Sequence, residues 1–234
     1  MGKALCTIGF DADDTLWHNQ AFFKLAEDRF VDLLSDHGED DALRAQLLDI
    51  KKRNIGHYGF GVKGFTLSMI ETAVALSDGP VDGRILARIL EMGQEMLRHP
   101  VELLPHVESV LGKLSATYPL ILITKGDLRH QEQKLAASGL GELFTGVQIV
   151  SDKTPETYRD AFHEAGPDRA MMVGNSMKSD VIPALQAGAW GVYVPHGESW
   201  AMEQASTPKH HPRYHEIVDL GALPDCVDRV TQGA

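Results

Sequence analysis

The chain has 234 residues, of which 43% are hydrophobic and 24% are charged, proportions that are ordinary for a folded globular protein. A chain of this length can bury a substantial core, and its composition excludes the collagen-like, coiled-coil and disordered classes. Its 33 acidic and 22 basic residues give a formal charge of −11, which disfavours binding to nucleic acid. No apolar stretch reaches about 18 residues and no signal peptide is recognisable, so we expect a cytoplasmic protein that does not associate with membranes.

The first part of the chain combines one strand with several helices. The apolar run from Leu5 to Phe10 predicts a short strand that is buried on both faces. No convincing strand follows between residues 16 and 115. Apolar residues at helical spacing instead predict four helical stretches, near 18–37, 40–53, 65–77 and 82–98.

The second part of the chain alternates strands with helices. Strands are predicted at 119–124, 147–150, 170–174 and 190–194, and helices between them at 127–138, 155–166 and 178–188. This alternation predicts right-handed β–α–β units and a parallel sheet, to which the first strand also belongs. We therefore predict an α/β fold with a Rossmann-like parallel-sheet core, made of residues 1–15 and 98–234, and an inserted all-helical domain over residues 16–97.

Polar side chains follow the predicted strands, at the sheet edge where open α/β sheets bind ligands. The first strand ends in Asp11-Ala-Asp13, and two carboxylates this close repel each other unless a cation or a proton lies between them. Mg²⁺ prefers hard oxygen ligands of this kind, often beside a phosphate. The later strands are followed by Thr124-Lys125, Ser151-Asp152-Lys153 and Gly174-Asn175-Ser176, with Asp180 close behind.

These segments resemble the four sequence motifs of the haloacid dehalogenase superfamily, in the same order and with similar gaps. Asp11-Ala-Asp13-Asp14-Thr15-Leu16 is similar to motif I, Thr124 to motif II, Lys153 to motif III, and Gly174-Asn175-Ser176 with Asp180 to motif IV. Together they span residues 5–188. The helical insertion after motif I is similar to the type 1 cap of that superfamily.

The resemblance implies a Mg²⁺-dependent phosphomonoester hydrolase that acts on a small phosphorylated substrate through an aspartyl-phosphate intermediate. It implies that Asp11 is the nucleophile and that Asp13 is the general acid and base. Thr124 would bind a phosphoryl oxygen, and Lys153 would offset the negative charge around the phosphate. The implied metal ligands are Asp11, the backbone carbonyl of Asp13, Asn175 and Asp180.

Two positions depart from the usual pattern of the superfamily. Asn175 stands where an acid is usual, and because an amide oxygen is a neutral ligand we expect Mg²⁺ binding to be retained but weakened. Asp14 stands where glycine is frequent, and we expect it to cap a turn or a helix.

The glycine-rich stretch 56–64 lies between two predicted helices of the insertion. It fits the dinucleotide fingerprint G-x-G-x-x-G, but that motif requires a preceding strand, so we reject the match. We expect Tyr58 and Lys63 to contact the substrate, together with Lys125 and Gly126 after the second strand. The alternative is that the stretch is a packed connection between helices.

Several alternative functions remain compatible with the sequence. A 2-haloacid dehalogenase of the same fold attacks carbon and needs neither Mg²⁺ nor a second acid in motif I, so the presence of Asp13 argues against it. A phosphonate hydrolase would require a lysine of the cap, such as Lys63, to form an imine. A phospho-acceptor module or a non-catalytic binding protein would keep the acids without turnover. Both a monomer and a homodimer fit the sequence.

Overall fold

The computed structural model describes residues 4–197, 203 and 205–232. The chain forms two compact units. The first comprises Met1–His18, Val101–Lys125 and Glu132–Ala234, and the second comprises Asn19–Pro100 and Gly126–Gln131. In the described part of the chain, no helix is both long enough and apolar enough to cross a lipid bilayer.

A parallel sheet forms the centre of the first unit. Its six described strands are β1 (Thr7–Phe10), β2 (Leu120–Lys125), β3 (Gly146–Val150), β4 (Ala170–Gly174), β5 (Trp190–Tyr193) and β6 (Tyr214–Glu216). The strands lie in the order β3-β2-β1-β4-β5-β6, and every neighbouring pair is parallel. The order reverses at β1, so the carboxyl ends of β1 and β4 flank the position where sheets of this topology bind ligands. The α/β class with a Rossmann-like parallel sheet, predicted from the sequence, is confirmed.

Helices cover both faces of the sheet, which explains why the strand sequences are almost continuously apolar. On one face, Ile8 and Phe10 of β1 share an apolar cluster with Leu111 and Val227. On the other face, Met172 of β4 belongs to a second cluster. The helices of the first unit are α5 (Val107–Ser115), α6 (Leu128–Ser138, which begins in the second unit), α7 (Pro155–Ala161), α8 (Ile182–Ala187) and α9 (Leu223–Gln232).

Some elements lie where the sequence pattern had not predicted them. The helix α5 precedes β2, and the C-terminal part contains both β6 and α9, where only one closing element is expected from the pattern. β6 has three residues, too few to show an alternating pattern. Contacts of its central and preceding residues hold it in place: His215 stacks on Trp190 at 5.5 Å, and Arg213, just before the strand, donates to the carbonyl oxygen of Gly188 at 2.6 Å.

Four helices make up most of the second unit: α1 (Gln20–Leu33), α2 (Asp40–Tyr58), α3 (Val62–Leu76) and α4 (Gly83–Arg98). Their apolar faces meet in a core of their own, which includes Phe30, Leu47, Met69 and Ile89. The helical unit therefore has an apolar core separate from the two clusters that cover the faces of the sheet.

The connection between α2 and α3 is shorter than the glycine-rich sequence suggests. α2 continues through Gly56 to Tyr58, so that only Gly59 to Gly61 remain outside helices. The side chain of Asn54 donates to Glu71 Oε2 on α3 at 2.6 Å, which links the last turns of α2 to α3. Gly59 and Gly61 have φ angles of 71° and 120°, values that side-chain-bearing residues rarely adopt.

Candidate active site

Asp11 lies at the carboxyl end of β1 and is 6% exposed. Its backbone N–H donates to the carbonyl oxygen of Val173 in β4 at 2.9 Å, which extends the pairing of the two strands to the site. The hydroxyl of Thr15 donates to Asp11 Oδ2 at 3.0 Å and accepts from the backbone N–H of Asn175 at 3.1 Å. Thr15, to which the sequence assigned no role, therefore connects the first and fourth motifs.

Lys153 joins two buried carboxylates. Its Nζ contacts Asp11 Oδ1 and lies 2.7 Å from Asp180 Oδ1. Burial disfavours the charged ammonium, but the two carboxylates outweigh this effect and raise the pKa of Lys153 well above its usual value. Burial, followed by the negative charge of Asp11, raises the pKa of Asp180 to about 7. Two acids thus share one cation at the centre of the site.

Asp180 folds back over the end of β4. The backbone N–H of Ser176 donates to Asp180 Oδ2 at 2.8 Å. A Cβ atom at Gly174 would lie 2.3 Å from that same oxygen and 2.6 Å from Asp180 Cβ. Only glycine fits at this position, because the aspartate occupies the space that a side chain would need.

The amide of Asn175 lies among oxygen atoms of the first motif. One terminal atom of this amide, its oxygen or its nitrogen depending on the orientation of the group, lies 3.3 Å from Asp11 Oδ2 and 3.2 Å from the carbonyl oxygen of Asp13. The amide nitrogen can donate to both atoms, or the amide oxygen can face them across a cation. Ligand oxygens around Mg²⁺ are separated by about 3 Å, so this donor set fits a hard divalent cation. Among the described residues, no group of three or more His, Cys, Asp or Glu side chains is placed to hold a metal ion.

The carboxylate of Asp13 is held by two side chains. Trp17 Nε1 donates to Asp13 Oδ1 at 2.6 Å, and Lys134 Nζ donates to the same oxygen at 2.5 Å. Lys134 lies on α6, ten residues after Thr124. No role for Lys134 is predicted from the sequence. The one sequence signal for it is that this charged residue precedes Leu135, which packs against the core.

Asp14 shapes the turn that follows the first motif. Its φ angle is 60°, in the left-handed region, which accounts for glycine being frequent at this position. Its backbone N–H donates to the carbonyl oxygen of Trp17 at 2.8 Å. The turn role expected for Asp14 agrees with this geometry.

The last residue of β2, Lys125, forms a second, partly buried ion pair. Lys125 Nζ donates to Ser179 Oγ at 2.8 Å and lies 2.9 Å from Glu203 Oε1. Burial opposes the ionisation of Glu203, but Lys125 and neighbouring serine hydroxyls outweigh it and lower the pKa of that carboxyl. Glu203 was not found from the sequence, because nothing local marks a single acid in an irregular segment.

Most of the predicted site residues belong to the first of the two units, and the others belong to the second. Seven belong to the first unit: Asp11, Asp13, Thr124, Lys125, Lys153, Asn175 and Asp180. Thr124 is 1% exposed, and its hydroxyl lies 3.4 Å from the carbonyl oxygen of Lys125. Gly126, with a φ angle of 134°, is grouped with the second unit.

Tyr58 and Lys63 belong to the second unit and flank its short glycine turn. Tyr58 ends α2 and is 49% exposed. Lys63 lies in the first turn of α3, where its Nζ is 3.4 Å from Asp127 Oδ1 and its backbone N–H donates to Asp127 Oδ2 at 3.2 Å. Both side chains are therefore placed on helix ends, not in a long loop.

Comparison with known protein families identifies the class of this fold and site. The family model of haloacid dehalogenase-like hydrolases matches residues 7–188, which contain all four motifs. The chain therefore belongs to the haloacid dehalogenase-like hydrolases, and the resemblance seen in the sequence is confirmed.

Individual relatives lie within the same family. A haloacid dehalogenase-like family hydrolase from Xanthomonas campestris has a solved structure with a TM-score of 0.88 and 38% identity, and the match covers 99% of this chain and 94% of that one. The glyceraldehyde 3-phosphate phosphatase of Methanothermobacter thermautotrophicus is 26% identical over 205 residues, covering 81% of this chain and 85% of the relative. The N-acylneuraminate-9-phosphatase of Mus musculus is 23% identical, covering 94% of each chain.

More distant solved structures share the fold alone. A putative hydrolase of the family from Bacillus subtilis, bound to magnesium, has a TM-score of 0.64 and 18% identity, over 97% of this chain and all of that one. A 2-haloacid dehalogenase from Pseudomonas syringae has a TM-score of 0.61 and 21% identity, over 97% of this chain and 99% of that one.

Proposed function

We propose that the protein is a Mg²⁺-dependent phosphomonoester hydrolase that acts on a small phosphorylated metabolite through an aspartyl-phosphate on Asp11. The observation that carries this proposal is the buried cluster of Asp11, Lys153 and Asp180, with the Asn175 amide against oxygens of Asp11 and Asp13. A phosphate dianion can approach two carboxylates only if cations offset the repulsion. The phosphatase activity of two relatives supports this chemistry.

The first step transfers the phosphoryl group to the protein. The Asp11 carboxylate attacks phosphorus, and the bond between phosphorus and the leaving oxygen breaks as the new bond forms. Asp13 gives its proton to the leaving oxygen, which departs as an alcohol. The Thr124 hydroxyl donates to a phosphoryl oxygen, and the Lys153 ammonium offsets the negative charge that gathers there.

The second step returns Asp11 to its starting state. Asp13, now ionised, takes a proton from water as the water oxygen bonds to phosphorus. The bond between phosphorus and the Asp11 oxygen breaks, and inorganic phosphate leaves. Asp13 is protonated again and Asp11 is a carboxylate, so both groups are ready for the next turnover.

The metal completes the charge balance. The carboxylates of Asp11 and Asp180, the carbonyl oxygen of Asp13 and the amide oxygen of Asn175 would hold Mg²⁺. When bound, Mg²⁺ supplies positive charge that offsets the phosphoryl oxygens.

Selectivity for the rest of the substrate requires residues that do not handle the phosphoryl group. We assign this role to Lys125 and Gly126 after β2 and to Tyr58 and Lys63 of the helical unit. The predicted inserted domain, residues 16–97, would then act as the specificity-determining cap. The relatives that act on glyceraldehyde 3-phosphate and on N-acylneuraminate 9-phosphate suggest sugar-like phosphates as the first compounds to test.

The experiment that tests the function is a screen of phosphorylated metabolites and of 2-haloacids, with Mg²⁺ and with a chelator. We expect phosphate release that depends on Mg²⁺ and on Asp11, so that Asp11→Asn loses on the order of 10³-fold or more in turnover. Asp160→Asn, an exposed acid on α7, is the matched control and should retain full activity. Halide release without phosphate release would instead establish a dehalogenase.

A further inference from the structure

One oxygen of Asp13 receives hydrogen bonds from two side chains. Lys134 Nζ lies 2.5 Å from Asp13 Oδ1, and Trp17 Nε1 lies 2.6 Å from the same atom. Both donors are largely buried, since the Lys134 side chain is 11% exposed and Trp17 is 1% exposed. Oδ1 is therefore held by an ammonium of α6 and by an indole of the first motif's turn.

Each donor is itself fixed in place. The carbonyl oxygen of Trp17 accepts from the backbone N–H of Asp14 at 2.8 Å, and Trp17 forms an antiparallel bridge with Leu103. Lys134 is next to Leu135, which packs against the core of the sheet. Burying a lysine costs free energy unless its charge is paired. The ion pair with Asp13 accounts for a lysine at this buried position of α6.

The position of the two donors determines which oxygen of Asp13 can carry a proton. A carboxylate oxygen offers about two lone pairs, and on Oδ1 both are engaged by donors. A proton on Oδ1 would point at the ammonium or at the indole N–H. The proton of the acid form therefore belongs on Oδ2.

We propose that Lys134, with Trp17, is a positioning residue that fixes Oδ1 of Asp13 so that Oδ2 carries out both proton transfers. This inference rests on the proposed function, in which Asp13 acts twice. In the first step the proton leaves Oδ2 for the leaving oxygen as that oxygen separates from phosphorus. In the second step water loses a proton to Oδ2 as its oxygen bonds to phosphorus and the bond to Asp11 breaks.

The geometry gives this arrangement a catalytic advantage. Asp13 must present the same oxygen before and after the leaving group departs. A side chain held by two donors needs no reorganisation between the two steps, and a displacement of about 1 Å can cost on the order of 10²-fold in rate. Lys134 acts through Asp13 and not on the substrate, so it should influence kcat more than KM.

The test compares Lys134→Met, Lys134→Arg, Asp13→Asn and the double variant Asp13→Asn/Lys134→Met on a series of aryl phosphates. We expect Lys134→Met to lower kcat by about 10- to 100-fold with little change in KM, and the loss to grow with the leaving-group pKa. Lys134→Arg, which keeps charge and donor, should recover most of kcat. The double variant should be no slower than Asp13→Asn alone, because Lys134 has no role once Asp13 is disabled.

Controls separate this role from others. Lys113→Met removes an exposed lysine of α5 and should leave all parameters unchanged. If Lys134→Met does not fold, as judged by its circular dichroism, Lys134→Gln retains a donor without the charge and enters the same comparison. A raised KM with unchanged kcat would make Lys134 a substrate contact and overturn the proposal, as would losses that add in the double variant. A wild type that hydrolyses no phosphate ester would overturn the proposed function as well.

Discussion

The ammonium of Lys153 lies 2.7 Å from Asp180 Oδ1, and both side chains are 1% exposed. Because the same ammonium also contacts Asp11, its removal leaves two buried carboxylates without a counter-charge. Breaking a buried ion pair from one side typically costs about 3–5 kcal/mol. We expect Lys153→Met to lower the free energy of unfolding by about that amount in metal-free buffer, as measured by urea denaturation, and to hydrolyse no aryl phosphate at a measurable rate.

A second substitution shows whether the loss is electrostatic. The double variant Lys153→Met/Asp180→Asn removes one of the two stranded charges, so it should regain much of the stability while remaining inactive. Mg²⁺ should stabilise Lys153→Met more than the wild type, since a bound cation replaces the missing charge. If single and double variants unfold at the same urea concentration, charge repulsion between Asp11 and Asp180 is not the cause.

A substitution at Gly174 tests the steric fit between this residue and Asp180. A methyl group there would lie 2.3 Å from Asp180 Oδ2, so the aspartate would have to move. We expect Gly174→Ala to lower the kcat/KM of phosphate-ester hydrolysis by about 10²-fold and to cost about 1–3 kcal/mol of stability.

Gly112 on α5 is the matched control for Gly174. A Cβ at Gly112 would meet nothing within 4 Å. Gly112→Ala should therefore stabilise the helix by about 0.5–1 kcal/mol and leave hydrolysis unchanged. Full activity in Gly174→Ala would mean that the position of Asp180 tolerates displacement.

The sheet could be predicted from the sequence because β1, β2 and β4 are largely apolar, and because β2, β3 and β4 are each followed by a helix before the next strand. This pattern groups strand β1 with the distant C-terminal half, and its parallel pairing with β2 and β4 agrees. The helix α2 shows the limit of local signals. Its last turns are linked to α3 by the bond from Asn54 to Glu71, and a partner on another helix leaves no signature in the sequence of α2.

The candidate site also contains some residues that could be predicted from the sequence and others that could not. Asp11, Lys153 and Asp180 follow strand ends, so their common location could be predicted from topology. Lys134 and Glu203 could not, because their positions depend on how a helix and an irregular segment pack against the sheet. The close approach of Asp180 to Gly174 is likewise a result of packing. The only sign of it in the sequence is the glycine itself, since a larger residue would not fit there.

Asn175 gives a prediction with two opposite effects. Its amide lies 3.3 Å from Asp11 Oδ2, so Asn175→Asp would place a third carboxylate beside Asp11 and Asp180. Without metal, the added repulsion should lower the melting temperature. With Mg²⁺, the acidic ligand should lower the metal concentration needed for half-maximal activity.

The control for this substitution is Asp180→Ala, which should raise the Mg²⁺ requirement sharply. Calorimetric titration of Mg²⁺ into both variants and the wild type measures the same effect without turnover. An unchanged Mg²⁺ titration in Asn175→Asp would show that Asn175 does not contact the metal.

The last prediction concerns substrate selectivity and the two residues that flank the turn between α2 and α3. Tyr58 is 49% exposed, and the side chain of Lys63 is 57% exposed. The ion pair of Lys63 with Asp127 is solvent-exposed on the lysine side and should contribute only about 0.2–1 kcal/mol to stability. Tyr58→Ala and Lys63→Ala should therefore fold normally and reveal effects on function.

We expect both variants to lose more activity on the best phosphorylated metabolite than on a small aryl phosphate. A lost hydrogen bond or charge contact with substrate costs about 1–3 kcal/mol, which is roughly five- to 150-fold in kcat/KM. The aryl phosphate lacks the groups that would make such a contact, so it should lose little. Lys52→Ala, an exposed lysine on α2, is the control and should change neither rate. Equal losses on both substrates would indicate a folding defect, and no loss on either would show that Gly59 to Gly61 merely connect two helices.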